Sequence, residues 1–403
     1  MADRFVNGLK LTAPAAAQCG RTFSRWLVEW LTQVCGWTVV DEVSGNWTNV
    51  IASGAAGESV SSLPNQFDIG SGYSFTSADI GRYLTITGFS GRFVSRNGIY
   101  YIRKIISSTV VELAVEESVH EDGFPAGLTG LSWRLWSSEA SYVPTAADVI
   151  VLGGTGTTGS GYAFHLHINV RSSNSYFPEL RISPFASWNA GTHSWDDLRY
   201  TSALGIDNWN NSLNTTDVCR VWCVGDSDRA VIMIRIEDNY YAWHFLYLGE
   251  IDAFAGVSQD PKPCVLWEGS NRGQSTPGAD NITLIGYGAD SNINGRGLWL
   301  ADDDLTSVAG YLSFPHSPYS SDGNWIAENY RRFGMRSRTN YLFPMICECR
   351  TSGNMEFRGT LRRVWVSGRN HLRETPFGDN SEYLHVIGGI SIPWFNTKVW
   401  YER

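Results

Sequence analysis

The chain has 403 residues, a formal net charge of −9 at pH 7 and a pI near 5.4, a balance that argues against nucleic acid as its main ligand. Charged residues make up 18% and aromatic residues 13%, with 41 glycines, a mixture that suits many short strands and turns. No run approaches the roughly 18 uncharged apolar residues of a membrane span, and the opening MADRFVNGLKLTAP lacks the core and cleavage pattern of a signal peptide, so a soluble product of a cytoplasm is expected.

From Ala15 to Cys35 the apolar residues Cys19, Phe23, Trp26, Leu27, Trp30, Leu31 and Val34 recur at three- and four-residue steps and predict an amphipathic helix. Thr12 can cap it, Pro14 sits in its first turn and Gly36 is placed to end it. Arg25, Glu29 and Gln33 form its polar side. Next, WTVVDEVSGNWTNVIASG alternates like a hairpin around Ser44, Gly45 and Asn46, and ASGAAGESVSSLPNQ reads as a soft linker.

A compact β module is expected from Phe67 to Tyr142, with strands RYLTITGF, GIYYIRKII, STVVELAV and LSWRLWS and turns at Asn97-Gly98 and Ser107-Ser108. From Pro144 onward, segments such as DVIVLGG, YAFHLHINV, DVCRVWCVG, RAVIMIRIE and LRRVWVS read as short strands in series, as in sandwiches or barrels. The fold class expected is mainly β, with two or more β-sandwich or barrel-like domains preceded by one N-terminal amphipathic helix. The divisions are 1–62 for helix and hairpin, 63–143 for the small β module and 144–403 for a large β-sandwich region open to a split into two subdomains.

The motifs that could carry chemistry each meet a physical objection. Gly154, Gly156 and Gly159 have the spacing of a dinucleotide fingerprint, with Glu179 some way downstream. That site needs a helix N-terminus to hold the pyrophosphate, yet the alternating YAFHLHINV follows, so a loop between strands is expected instead. His165 and His167 share one side of a strand, a spacing compatible with two metal ligands. No third ligand is evident nearby, although His193, in GTHSWDD, could approach in space, and two solvent-facing or hydrogen-bonded histidines are the plainer reading.

None of the acid groups Glu116-Glu117, Glu121-Asp122, Asp196-Asp197 and Asp302-Asp303-Asp304 makes a facing carboxylate pair by itself, since adjacent acids on a strand face opposite ways, and the Asp302 triplet reads as a solvated loop. Seven cysteines, Cys19, Cys35, Cys219, Cys223, Cys264, Cys347 and Cys349, include no CxxC pair and read as mostly buried free thiols. With no GxSxG, HExxH or P-loop lysine, no catalytic residue, no cofactor and no metal site is expected, and the chain reads as no enzyme.

Aromatic and polar residues interleave in SWNAGTHSWDDLRY, DNWNN, NYYAWHFLY, NWIAENYRRF and SIPWFNTKVWYER. Such stretches serve either stacking on sugars or hot spots between proteins, and the residues alone leave that choice open. Lys10, Lys104, Lys262 and Lys398 are the lysines and the other basic residues are Arg, which suits interfaces, although a codon bias gives the same pattern. The interface candidates are Trp26 and Trp30 on the helix, although two tryptophans on one stripe more often pack on the protein's own sheet, then Trp188, Trp195 and Tyr200, then Trp394, Trp400 and Tyr401.

The stretch FTSADIGRYLTITGFSGRFVSRNGIYYIRKIISSTVVELAV, with its Phe-Thr-x-x-Asp-x-Gly-Arg start, Asn-Gly step and Val-Val-x-Leu close, resembles a module of tailed-bacteriophage virion structural proteins. NYYAWHFLYLGEIDAFAGVSQDPKPCVLWEGS is similar to another segment of such proteins, and FRGTLRRVWVSGRNHLRETPFGD with YLHVIGGISIPWFNTKVWYE to their C-terminal ends. The resemblance implies a non-enzymatic, β-rich virion component associated with the tail or baseplate, made in the host cytoplasm and held in a symmetric homo-oligomer by other virion proteins. Two alternatives are a receptor-binding tail protein that attaches to a host-surface glycan and a capsid- or vertex-associated decoration protein. Neither nucleic acid nor a membrane span enters the expected partners.

Overall fold

The computed structural model describes residues 4–12, 25–43, 50–60, 65–114, 124–137, 149–154, 162–169, 179–185, 188–195, 202–204, 218–227, 229–236, 243–253, 263–270, 282–284, 297–301, 307–313, 342–351, 354–367, 383–385, 390–392 and 395–402. The chain is mostly strand. β1 (Arg4–Thr12) is followed by a helical segment that is α-helical over 25–29 and continues as a π-helix over Trp30–Val34, where the Cys35 N–H donates to the Trp30 carbonyl at 2.9 Å. Gly36, at φ +81°, turns the chain out of the helix in the left-handed region that a residue without Cβ enters freely. The expected helical residues before Arg25 lie outside the described residues.

β2 (Thr38–Val43) and β3 (Val50–Val60) do not form the hairpin that their alternation suggested. β2 pairs with β9 (Val149–Gly154), and β3 enters a barrel with β4 (Gln66–Asp68), β5 (Tyr83–Thr87), β6 (Gly98–Ile105), β7 (Val110–Ala114) and β8 (Leu128–Trp136). The barrel is closed in the order β3-β4-β7-β6-β5-β8, with every neighbour antiparallel. Alternation along a chain reports a strand; the partner is chosen by whichever apolar face completes a core.

The soft linker is corrected for the same reason. Most of ASGAAGESVSSLPNQ is β3, which pairs with β8 through three register shifts. Its small residues are a packing requirement. A Cβ on Gly54 would lie 2.7 Å from the Trp133 Nε1, and one on Gly57 would collide with the Phe67 ring and stand 2.9 Å from the Leu131 carbonyl oxygen. The strand is glycine-rich because large rings lie directly against it.

Inward positions follow the two-residue period: Leu84 and Ile86 on β5, Tyr100 and Ile102 on β6, Val111 and Leu113 on β7, and Leu131, Trp133 and Leu135 on β8, closed by Phe67. These side chains fill the interior, as a barrel of so few strands demands. Burial pushes the Tyr100 phenol well above its ordinary pKa of 10.0, and its hydroxyl donates to the Arg96 carbonyl. A folded-state pKa raised above the unfolded one favours the fold below the unfolded value and works against it as pH rises beyond. Stability is therefore expected to fall above about pH 10, and Tyr100→Phe to flatten that slope in denaturant melts taken at pH 9 to 11. An unchanged slope in the variant would remove Tyr100 from this role.

The Phe-Thr-x-x-Asp-x-Gly-Arg segment turns out to be a turn lock. Asp79, 1% exposed, accepts hydrogen bonds from the Thr76 N–H at 2.8 Å, the Thr76 hydroxyl at 3.1 Å and the Tyr73 hydroxyl at 3.0 Å, and pairs with Arg82 at 3.1 Å. Gly81 supplies φ +94° between them. Asn97 is not a hairpin tip: its buried amide exchanges two 2.9 Å hydrogen bonds with the backbone of Phe89, standing in for a strand pair. At Ser107 a tight turn does form, its hydroxyl accepting from the Thr109 and Val110 N–H groups.

β9 continues into β10 (Tyr162–Asn169), β11 (Glu179–Phe185) and β14 (Ser202–Leu204), so that a five-stranded sheet runs β14-β11-β10-β9-β2. Between β11 and β14 lies a small hairpin of β12 (Trp188–Asn189) and β13 (Ser194–Trp195). The remaining strands, from β15 (Val218–Gly225) and β16 (Ala230–Ile236) to the last, Phe395–Glu402, join β1 in a 13-stranded antiparallel sheet.

Candidate functional site

Helical residues 25–31 are buried on every side, which corrects the amphipathic expectation. Trp26 and Trp30 are 1% and 0% exposed, stacked with their centroids 6.0 Å apart. A Cβ on Gly225, at the end of β15, would stand 2.9 Å from the Trp30 ring. As interface candidates these two residues are withdrawn: their surface is already spent on the chain's own core. Trp37 extends the same contact, its indole N–H donating to the Asp226 carbonyl at 2.8 Å, beside an Asp226–Arg229 ion pair of 2.6 Å. Cys35 is a buried free thiol in this region.

The polar side of the helix lies on the barrel. Glu29 Oε1 accepts from the Thr85 hydroxyl at 2.9 Å and from the Arg134 Nε at 2.8 Å, and the Thr85 oxygen in turn accepts from the Trp136 indole at 2.8 Å. Arg25 lies over the Trp136 ring, 4.5 Å from its centroid, and donates to the Ser137 carbonyl. Thr85, Arg134 and Trp136 are outward positions of β5 and β8, polar because a buried helix with its own charges covers them. This network joins elements and presents no reactive group to solvent.

Trp188 and Trp195 are directly opposed across the β12–β13 hairpin, and Tyr200 lies outside the described residues. The hairpin tip, residues 189–194, is exposed. Asn189 Oδ1 accepts from the Gly191 and Thr192 N–H groups, a turn that leaves His193 at φ +49°. There the His193 Nδ1 meets the Asp41 Oδ2 of β2 at 2.8 Å. His193 is half exposed while Asp41 is nearly covered. No sequence motif announces Asp41, which is 152 residues away; the only trace is an acid in the otherwise alternating TVVDEV.

His165 and His167 occupy alternate positions of β10, opposite Ser183 and Arg181 on one side and Val151 and Val149 on the other. β9 ends at Gly154 and β10, antiparallel to it, opens at Tyr162, while Gly156 and Gly159 of the glycine fingerprint lie outside the described residues. Trp400 and Tyr401 lie on Phe395–Glu402, in register with Trp365 and Val364, while Trp394 and all four acidic groups are outside the described residues. Cys219 and Cys223 lie on β15, Cys264 on Pro263–Ser270, and Cys347 and Cys349 on Leu342–Thr351.

Among the residues whose side chains are described, no three His, Cys, Asp or Glu converge as a metal set, and no described helix is long and apolar enough to cross a membrane. Among the described residues, the exposed large apolar side chains are Val39 and Val40 on the edge strand β2 and Ile51, Ile80, Tyr101 and Ile106 on and around the barrel. Tyr101 stands edge-on to Tyr83, which leans on Trp136. Compared with known protein families and with curated proteins, the sequence gives no match to either.

Proposed function

We propose that the chain is a non-enzymatic structural component of a tailed-phage virion, of the tail or baseplate, assembling as a homo-oligomer with other virion proteins through aromatic and Arg-rich surfaces. On this reading the body divides into two or more β units behind the helix, and neither nucleic acid nor a cofactor is a partner. The observation that carries it is the resemblance of three segments to tailed-phage virion proteins. The first of them has its signature residues Thr76, Asp79, Gly81 and Arg82 in a locked turn, which supports reading the pattern as a building module. A barrel filled by its own side chains and a helix clamped by a buried ionic network also suit a part that must transmit shape.

Purified particles of a phage that encodes the chain test this reading. Mass spectrometry and a particle reconstruction are expected to find it at fixed stoichiometry, with an interface above about 1,000 Å² that covers Trp400 and Tyr401 or the hairpin of Trp188 and Trp195. Its absence from washed particles would sink the proposal. Placement at a capsid vertex would turn it into a decoration protein.

A second reading, a receptor-binding tail protein, is favoured by the β12–β13 hairpin, where two opposed tryptophans carry an exposed tip of Asn, Gly, Thr, His and Ser. Glycan-array binding lost on Trp188→Ala or Trp195→Ala would select it, and binding that survives both would remove it.

A further inference from the structure

The chain carries a net charge of −9, so two copies repel at long range, and a contact between them is favoured where a local surplus of positive charge meets acids. On β6 Arg103 and Lys104 are adjacent and both exposed. Glu112 of β7 is opposite Lys104 in register and 3.8 Å from the Arg103 Nε. That is one carboxylate, 26% exposed, against two cations, of which Arg103 has 65% of its side chain in solvent. Tyr101, also exposed, is two positions before Arg103 on the same strand. A Cβ added to Gly81 would lie 3.3 Å from the Tyr101 hydroxyl, and the residue before it, Ile80, is exposed. Tyr and Arg beside apolar surface are the composition of an interface core.

β2 has the opposite sign. Val39 and Val40 are exposed, the nearly covered Asp41 follows, and Glu42 is exposed after it. The register slips between Val39 and Asp41, so the outer edge of β2 does not offer a regular row of backbone groups to an added strand. β6 is paired on both sides within the closed barrel and has no edge to give. Contact between two such surfaces is made by side chains and not by extending a sheet.

We propose that residues 39–42 of β2 in one copy dock on the β6 surface of a second copy, with Val39 and Val40 against Tyr101 and Ile80, and Glu42 against Arg103 and Lys104. This contact presupposes the homo-oligomer proposed above and locates it. A surface that meets a different surface of the next copy closes into a ring when the rotation between copies allows it. The charges border the contact in water, so association weakens as salt rises.

The full chain tests this as an equal mixture of copies carrying natural and heavy nitrogen, treated with a carbodiimide. The reagent takes up the water released as a lysine amine and a carboxylate in contact form an amide. A Lys104–Glu42 link is expected in peptides with one light and one heavy half, which only two different copies can produce. In sedimentation equilibrium, Lys104→Glu, Arg103→Glu and Tyr101→Ala are each expected to weaken self-association by about tenfold or more. The double variant Glu42→Lys with Lys104→Glu is expected to recover it, since every copy then carries both reversed partners. Far-ultraviolet circular dichroism checks that each variant keeps its strands. A wild-type chain that stays monomeric in low salt overturns the proposal. So does an oligomer without the mixed-isotope link, or one that the charge reversals leave unchanged. In these cases the virion reading still stands on the chain's presence in washed particles, and absence from particles removes that reading while the mixed-isotope link still decides this contact.

Discussion

Replacing Trp133 with alanine is expected to destabilise the barrel by about 3–5 kcal/mol, a large part of the 5–15 kcal/mol that holds most domains together. The indole is 1% exposed, projects inward from β8 and lies against the glycine face of β3 at Gly54. Removing it opens a cavity lined by rigid strand backbone, where neighbours cannot collapse. Barrel strands are closed on one another, so loss of the β3–β8 contact also loosens the seam that completes the ring. Urea melts followed by circular dichroism, together with amide exchange on β5 and β8, measure the effect. A loss under about 1 kcal/mol would mean that the ring does not fill the barrel. A second variant tests a neighbouring contact on the same strand: Gly57→Val should be destabilising through overpacking by about 1–3 kcal/mol, since its side chain would enter the space of the Phe67 ring.

Glu29→Ala is expected to cost about 2–3 kcal/mol, through unpaired partners more than through lost attraction. The carboxylate is buried and its Oε1 accepts from both Thr85 and Arg134, while Thr85 also accepts from Trp136. Arg134 keeps 27% of its side chain exposed and recovers some hydration, which sets the figure below that of a fully buried pair. Glu29→Gln retains an oxygen for one donor and should cost about half as much. A double-mutant cycle with Arg134→Met isolates the pair, and a coupling near zero would show that helix and barrel are joined by apolar packing alone.

The sequence by itself determined the strands whose residues alternate clearly. Alternating β-branched and aromatic residues identified the central residues of β5 to β8, because inward and outward positions of a barrel differ in polarity and the period of two is written in the chain. Gly36 ended the helix where its lack of Cβ allows a left-handed residue. The strand after the glycine fingerprint was legible for the same reason, since YAFHLHINV has no helical period. Only the tertiary structure decided what each surface faces. Arg25 and Glu29 look like a solvent side because charge usually seeks water, yet they are buried where Thr85, Arg134 and Trp136 supply partners. Trp26 and Trp30 could have served as a docking stripe or as core, and they are core, stacked on each other with Gly225 against the Trp30 ring. The glycine-rich β3 looks like a linker because its small residues pack nothing themselves; they make room for Trp133 and Phe67, which are far along the chain. His193 and Asp41, separated by 152 residues, met only when a hairpin tip was laid against an edge strand. Local sequence records the period and propensity of each segment, whereas register and packing between distant segments depend on the whole set of faces that must be buried together.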